Sequence, residues 1–150
     1  MKKLAFLLIL SFIGVSSQAQ QIDYYLDSGY VAEGYDVTEY FNNKSVEGSK
    51  SFTTTHDGAK FKFNSQANLD KFKANPNKYI PQYGGYCAYA LATSGKKVDA
   101  DPETFEIRDG KLYMFYNSWG TNTFKKWKAG DPTVLRPKAD KRWSVVKYKS

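Results

Sequence analysis

Two stretches of this chain alternate apolar and polar residues with a period of two, and each is interrupted by an Asp-Gly pair. In the first, Phe52, Thr54 and His56 alternate with Thr53 and Thr55, Asp57-Gly58 follows, and Phe61 and Phe63 then alternate with Lys60 and Lys62. Successive side chains of a strand point to opposite faces, and Asp-Gly supplies the positive φ angles of a tight turn, so the spacing predicts a β-hairpin. Asn64 or Ser65 then offers a helix cap, and Leu69 with Phe72 starts an apolar helical face that stops near Asn75-Pro76. Pro76 is placed to open a second short helical turn carrying Tyr79 and Ile80, because a first helical position needs no N–H.

The second stretch repeats this grammar. Phe105 and Ile107 lead to Asp109-Gly110, Leu112 to Phe115 form the return strand, and Asn117-Ser118 again offers a cap. A helix with Phe124 and Trp127 follows, ending near Ala129-Gly130-Asp131-Pro132. The copies are offset by 52 residues at the turns and by 55 at Phe72 and Trp127. Duplication and the shared chemistry of common turns and caps both account for this, and two copies are too few for a solenoid. The pattern predicts an α+β fold of two antiparallel β-hairpin-plus-helix units packed into one small domain.

Between the halves, Gly84 and Gly85 permit a tight turn, and Tyr86 to Ala92 reads as a helix of small residues. Cys87 is expected in its first turn, where unbonded amide hydrogens and the helix dipole favour a thiolate.

The N-terminus changes the setting. Lys2 and Lys3 precede an apolar run from Leu4 to Val15, and Ser17-Gln18-Ala19 places small residues before a cut, so residues 1–19 read as a signal peptide and the mature chain as periplasmic or secreted. The run is shorter than the roughly 18 to 20 residues that span a bilayer, so no transmembrane anchor is expected. Residues 20–33, polar with scattered tyrosines, read as an N-terminal arm or linker, and residues 34–150 as the domain. The net charge of +7 falls to +5 without Lys2 and Lys3, and the lysines are dispersed among acidic residues, so no nucleic-acid partner is expected. Cys87 is the only cysteine, which excludes an internal disulfide and leaves a monomer or a Cys87-linked dimer.

Four segments carry a family resemblance: Gly34-Tyr35-Asp36-Val37-Thr38-Glu39-Tyr40-Phe41, Gly58-Ala59-Lys60-Phe61-Lys62-Phe63, Phe72-Lys73-Ala74-Asn75-Pro76-Asn77-Lys78-Tyr79 and Tyr83-Gly84-Gly85-Tyr86-Cys87-Ala88. Together they resemble the YHS domain family, and more closely its exported single-domain branch, over about residues 35–92. The resemblance implies a small α+β fold in a family associated with metal binding. Metal-associated members carry a cysteine just after an Asp-Pro-Val segment and a Cys-x-x-x-Cys after the second strand. This chain has Asp36-Val37-Thr38-Glu39 and Phe63-Asn64-Ser65-Gln66-Ala67 there, without thiols, so a transition metal does not transfer by those positions. The Gly-Gly-Tyr-Cys-Ala element is retained at a position associated with selenocysteine in some relatives, which implies redox or nucleophilic work at Cys87.

Cys87 is thus the first candidate: a thiol acting catalytically in redox chemistry, a metal ligand, or a buried small apolar residue. A redox cycle would need an external resolving thiol, such as that of a partner protein. His56, the only histidine, reads either as a solvated hairpin residue or as a base or metal co-ligand facing Cys87. Asp36 and Glu39 either add oxygens or begin a helix. Tyr83, Gly84, Gly85, Tyr86 and Tyr89 are candidate binding residues for an unidentified small ligand. Tyr113, Tyr116, Trp119 and Trp127 extend this to an aromatic platform for a glycan or another small planar ligand, or else fill the core. No hydrolase motif, phosphate-binding glycine loop or trusted carboxylate pair is present, so the chain reads as a binding or accessory protein rather than an enzyme.

Overall fold

Both Asp-Gly pairs close two-residue turns in the computed structural model, which describes residues 19–150. The signal-peptide reading falls, but for Ala19, outside these residues. The described chain starts with a small hairpin of β1 (Leu26–Asp27) and β2 (Tyr30–Val31). β3 (Ser49–His56) and β4 (Ala59–Phe63) form the first of the hairpins expected from the alternation. β2 joins β4 in parallel through Tyr30 and Lys60, giving a four-stranded sheet in the order β1-β2-β4-β3. Residues 20–33, expected as an arm or linker, therefore belong to the sheet, and Tyr24, Val31 and Ala32 are buried in its core. Their pattern misled because β1 and β2 have two residues each, too few to show a period.

α1 (Gln66–Ala74) follows β4 after a cap at Ser65, whose hydroxyl accepts the Asn68 N–H, and α2 (Pro76–Tyr79) begins at proline as expected. α3 (Ala88–Ser94) starts two residues later than Tyr86, with Cys87 as its cap residue rather than inside its first turn. β5 (Asp101–Arg108) and β6 (Lys111–Phe115) form the second hairpin. Asn117-Ser118 is not a cap: it forms β7 (Asn117–Ser118), which pairs with β8 (Thr121–Asn122) around a Trp119-Gly120 turn. Asn122 then caps α4 (Thr123–Ala129), accepting the Lys125 N–H. α5 (Pro132–Val146) was not anticipated. Asp131 caps it and Pro132 opens it, but Pro137 in its interior masks the helical spacing of Leu135 and Ala139.

β6 organises the interior. Leu112 and Met114 point into one apolar cluster with Val31, Phe61, Phe63 and Phe72. Tyr113 and Phe115, on its other face, enter a second cluster with Tyr83, Leu91, Trp127 and Leu135. One strand buried on both faces thus forms the wall between two cores, and each fully buried Leu or Phe side chain contributes about 1.5–3 kcal/mol. The result is an α+β domain whose two hairpin-plus-helix units share this strand. No helix among the described residues is long and apolar enough to cross a membrane.

Candidate functional site

The Gly-Gly-Tyr-Cys-Ala element lies at the junction of the two cores. Cys87 is fully buried; its N–H donates to Val98 O at 2.8 Å, and its backbone bridges to Met114 of β6. Its Sγ has one polar neighbour, Thr123 Oγ1 at 3.2 Å. The Thr123 hydroxyl donates to Tyr116 O at 2.8 Å, which leaves its lone pair to accept the Cys87 S–H. The sulfur therefore ties the start of α3 to the start of α4, and a Cys87-linked dimer would require this junction to open.

Gly84 is required by close approach. A Cβ there would come within 2.5 Å of Asp23 O and 3.0 Å of Trp143 Cη2, and the residue has φ +63°. The segment before β1 crosses directly over it, and the Tyr25 N–H donates to Gly84 O at 2.9 Å. This crossing makes a cleft of about 250 Å³. Tyr24, Tyr83 and Trp143 supply its aromatic walls, and Asp57, Asn77 and Gln82 its polar edge. The side-chain amides of Asn77 and Gln82 make no hydrogen bond among the described residues. Ile22 and Asp57 also line a neighbouring cleft of about 460 Å³ that runs toward Gln20 and Tyr148.

The aromatic walls are fixed. The Tyr83 hydroxyl donates to Asp140 Oδ1 at 2.8 Å, and burial followed by this bond raises its pKa well above the usual phenol value. Tyr24 is pushed up to about 12 by burial and by the Asp57 charge. Both phenols stay neutral and available for hydrogen bonding at any physiological pH.

The other expected residues are distributed more widely. His56 stacks edge-on against Phe72 at 5.9 Å and lies 3.4 Å from Asp57 Oδ2, at the rim of the aromatic cleft. It shares no contact with Cys87, so the structure does not bring the expected pair of metal ligands together. Tyr86 packs against Tyr25 and Trp143, with its hydroxyl 3.4 Å from Asp23 Oδ2; burial and Asp23 push its pKa up to about 12. Gly85 adopts φ +87° below the cleft, and Tyr89 is half-buried against the second core. The extended platform does not form, because Tyr113 and Trp127 are buried in the core whereas Trp119 stands alone, 95% exposed. Sequence reasoning missed Tyr24, Asp57, Asn77, Gln82 and Trp143 as cleft residues, since they meet only through the chain crossing at Gly84.

Comparison with known families agrees with the expected resemblance: the YHS domain model matches residues 37–83. No curated protein and no solved structure matches the chain. The matched segment runs from the loop before β3 to Tyr83, so it supplies the first hairpin, α1, α2 and one wall of the cleft.

YHS domains are commonly linked to metal binding, and the segments in which metal-associated members carry thiols are here Asp36-Val37-Thr38-Glu39 and Phe63-Asn64-Ser65-Gln66-Ala67. The two segments meet at Asn68, in the first turn of α1. Asn68 Nδ2 lies 2.7 Å from Glu39 Oε1, 2.8 Å from Asp36 Oδ2 and 3.2 Å from Asn64 Oδ1. Asp36, fully buried, also accepts from the Thr38 N–H and hydroxyl and from the Asn64 N–H. An amide nitrogen with two hydrogens occupies the centre of these oxygens, so the set is satisfied by a donor and does not suit a thiolate-bound metal. The bond from Asn68 holds the Glu39 carboxyl below its usual pKa. Among the described residues no three His, Cys, Asp or Glu side chains are grouped to hold a metal ion.

Proposed function

We propose that this is an exported, non-enzymatic binding protein whose YHS domain and C-terminal helix together hold a small ring-bearing ligand, a saccharide or another small planar polar molecule, in the cleft at Gly84. The observation that carries the reading is the cleft's composition. Three fixed aromatic side chains, Tyr24, Tyr83 and Trp143, face a carboxylate and two carboxamides that lack protein partners. Aromatic walls bury the apolar face of a ring, and unpaired amides select its hydroxyls or ring heteroatoms. With a volume of about 250 Å³, the cleft accommodates one ring, and the adjoining space along Ile22 and Asp57 extends it. His56, Tyr83, Gly84, Gly85 and Tyr86 contribute as rim, wall and support of this site.

Cys87 acts in this reading by holding the cleft wall to α4, and not as a nucleophile. A thiol reagent is expected to modify it only as fast as the protein unfolds; rapid stoichiometric labelling of the folded protein would restore the redox reading with an external resolving thiol. The ligand reading is tested by calorimetric titration with a panel of mono- and disaccharides and free nucleobases. Binding is expected for at least one of them and is expected to be lost in Asn77→Ala/Gln82→Ala, whose altered side chains are not in the core. A panel without binding, or binding unchanged in that variant, would remove the proposal.

A further inference from the structure

A second concavity lies away from this cleft, where the end of α3 meets α5, and its chemistry is different. We propose that this groove binds a small amphiphilic anion, with a carboxylate head and a linear apolar tail. This open groove has a volume of about 560 Å³, within the usual range of about 300–1,000 Å³ for small-molecule sites. Lys138, Lys141, Arg142 and Val145 line it from α5, at spacings of three, four and seven residues that place them on one stripe of the helix. Gly95 and Val146 complete the part that matters.

The charge is one-sided. From Pro132 to Ser150 the chain has six cationic side chains and one carboxylate, Asp140, which accepts from Tyr83 and does not line the groove. Arg136 is paired with Asp109 at 2.7 Å. Lys138 and Lys141 have no ion pair among the described residues, so two exposed ammonium groups flank the groove unneutralised.

Arg142 supplies the head-group site. Its Nη1 donates to the carbonyls of Leu91 and Ala92 at the end of α3, and its stem lies against Gly95, where a Cβ would come within 3.3 Å of Cδ. Gly95 ends α3 with φ +72°, a conformation that also disfavours a larger residue. The guanidinium is thus held in place before any ligand arrives, while Nε and Nη2 make no bond among the described residues. A planar fork held in this way matches a carboxylate, and little side-chain entropy is left to lose. The apolar share comes from Val145, 80% exposed, from Val146, and from the methylene stems of the two lysines. An apolar side chain so exposed between cations suits a ligand with a charged end and a greasy one.

The test is titration of the purified protein with sodium decanoate below its micelle-forming concentration, followed by amide chemical shifts. Saturable one-site binding with shifts at Gly95 and Val145 is expected. Lys138→Glu/Lys141→Glu, which alters only exposed side chains, is expected to weaken it about tenfold or more, and Val145→Asn to weaken it less. Butanoate is expected to bind more weakly than decanoate, and decylammonium not to bind. Equal affinity in the charge-reversed variant, equal binding of decylammonium, or binding to anionic phospholipid vesicles without binding of monomeric decanoate would each overturn the proposal. The saccharide panel probes the other cleft, so the two ideas stand or fall separately.

Discussion

The first hairpin, β3–β4, and the second, β5–β6, have strands of eight and five residues, an Asp-Gly turn and a register irregularity near the open end, yet they hold their helices by different means. In the first unit, α1 follows β4 almost at once, and Phe72 packs on Phe61 and Phe63 at 4.7 and 5.1 Å. The polar side of α1 is secured from elsewhere in the chain, because Asn68 reaches the carboxylates of Asp36 and Glu39. In the second unit, the β7–β8 hairpin intervenes before α4, and Trp127 packs on Phe115 and Tyr113 at 5.4 and 6.0 Å. Its indole N–H donates to Glu106 Oε2 at 3.0 Å, within the unit, and Arg108 pairs with the other Glu106 oxygen at 2.6 Å. The apolar contact between hairpin and helix is common to both, whereas the polar support depends on what each unit has nearby. The added hairpin sits at the strand–helix junction, where it disturbs neither strand register nor helix packing.

Truncation of the shared contact should have the largest effect. Trp127→Ala and Phe72→Ala should each cost about 3–5 kcal/mol in denaturant unfolding. Trp127→Ala should cost the more, since it also strips the Glu106 carboxylate of its indole donor. A loss for Trp127→Ala well below that for Phe72→Ala would break the parallel between the units.

Next comes the polar clasp peculiar to the first unit. Asn68→Leu should cost about 2–3 kcal/mol by leaving buried acceptors unpaired. The clasp should also be visible in the pH dependence. Glu39 is held below its usual pKa chiefly by Asn68, so it contributes stability at neutral pH that is lost as the pH falls through its lowered folded-state value. Thermal melts should therefore show a smaller loss from neutral pH to about pH 3 in Asn68→Leu than in the parent. An equal loss would separate Glu39 from the clasp.

The helix caps should be equivalent. Ser65→Ala and Asn122→Ala should each cost about 1 kcal/mol, because each removes the acceptor of one N–H in the first turn. A large inequality would show that one helix depends on its cap far more than the other.

The smallest effect should have the opposite sign. Trp119 holds φ +50° at an exposed turn where the corresponding turns of the two units use aspartate, so Trp119→Asn should stabilise by about 0.5–1 kcal/mol. Destabilisation would mean that the indole packs in solution.

Short-range chemistry made the hairpins, α1 and α2 readable. Phe61 and Phe63 alternate with lysines, Asp57-Gly58 and Asp109-Gly110 demand tight turns, and Pro76 marks a helix start. Each signal lies within a few residues of the element it specifies. Pro137 sits inside the helical spacing of α5 and hides it, and Asn117-Ser118 forms a strand rather than a cap because the same polar residues suit strand ends and caps. The candidate site was less readable than the fold. Tyr83 and Gly84 stood out by their motif, but Tyr24 and Trp143 join them only because the N-terminal segment crosses Gly84 and α5 packs alongside.

Local sequence was sufficient to specify the alternating strands, their Asp-Gly turns, the α+β class and the resemblance of the central segment to the YHS family, because backbone preference and side-chain alternation act over a few residues. Tertiary structure alone decided that Cys87 is sealed against Thr123, that Asn68 stands among the carboxylates of Asp36 and Glu39, and that cations gather along one groove of α5. Those outcomes depend on which distant segments exclude water from one another, and no local pattern records that.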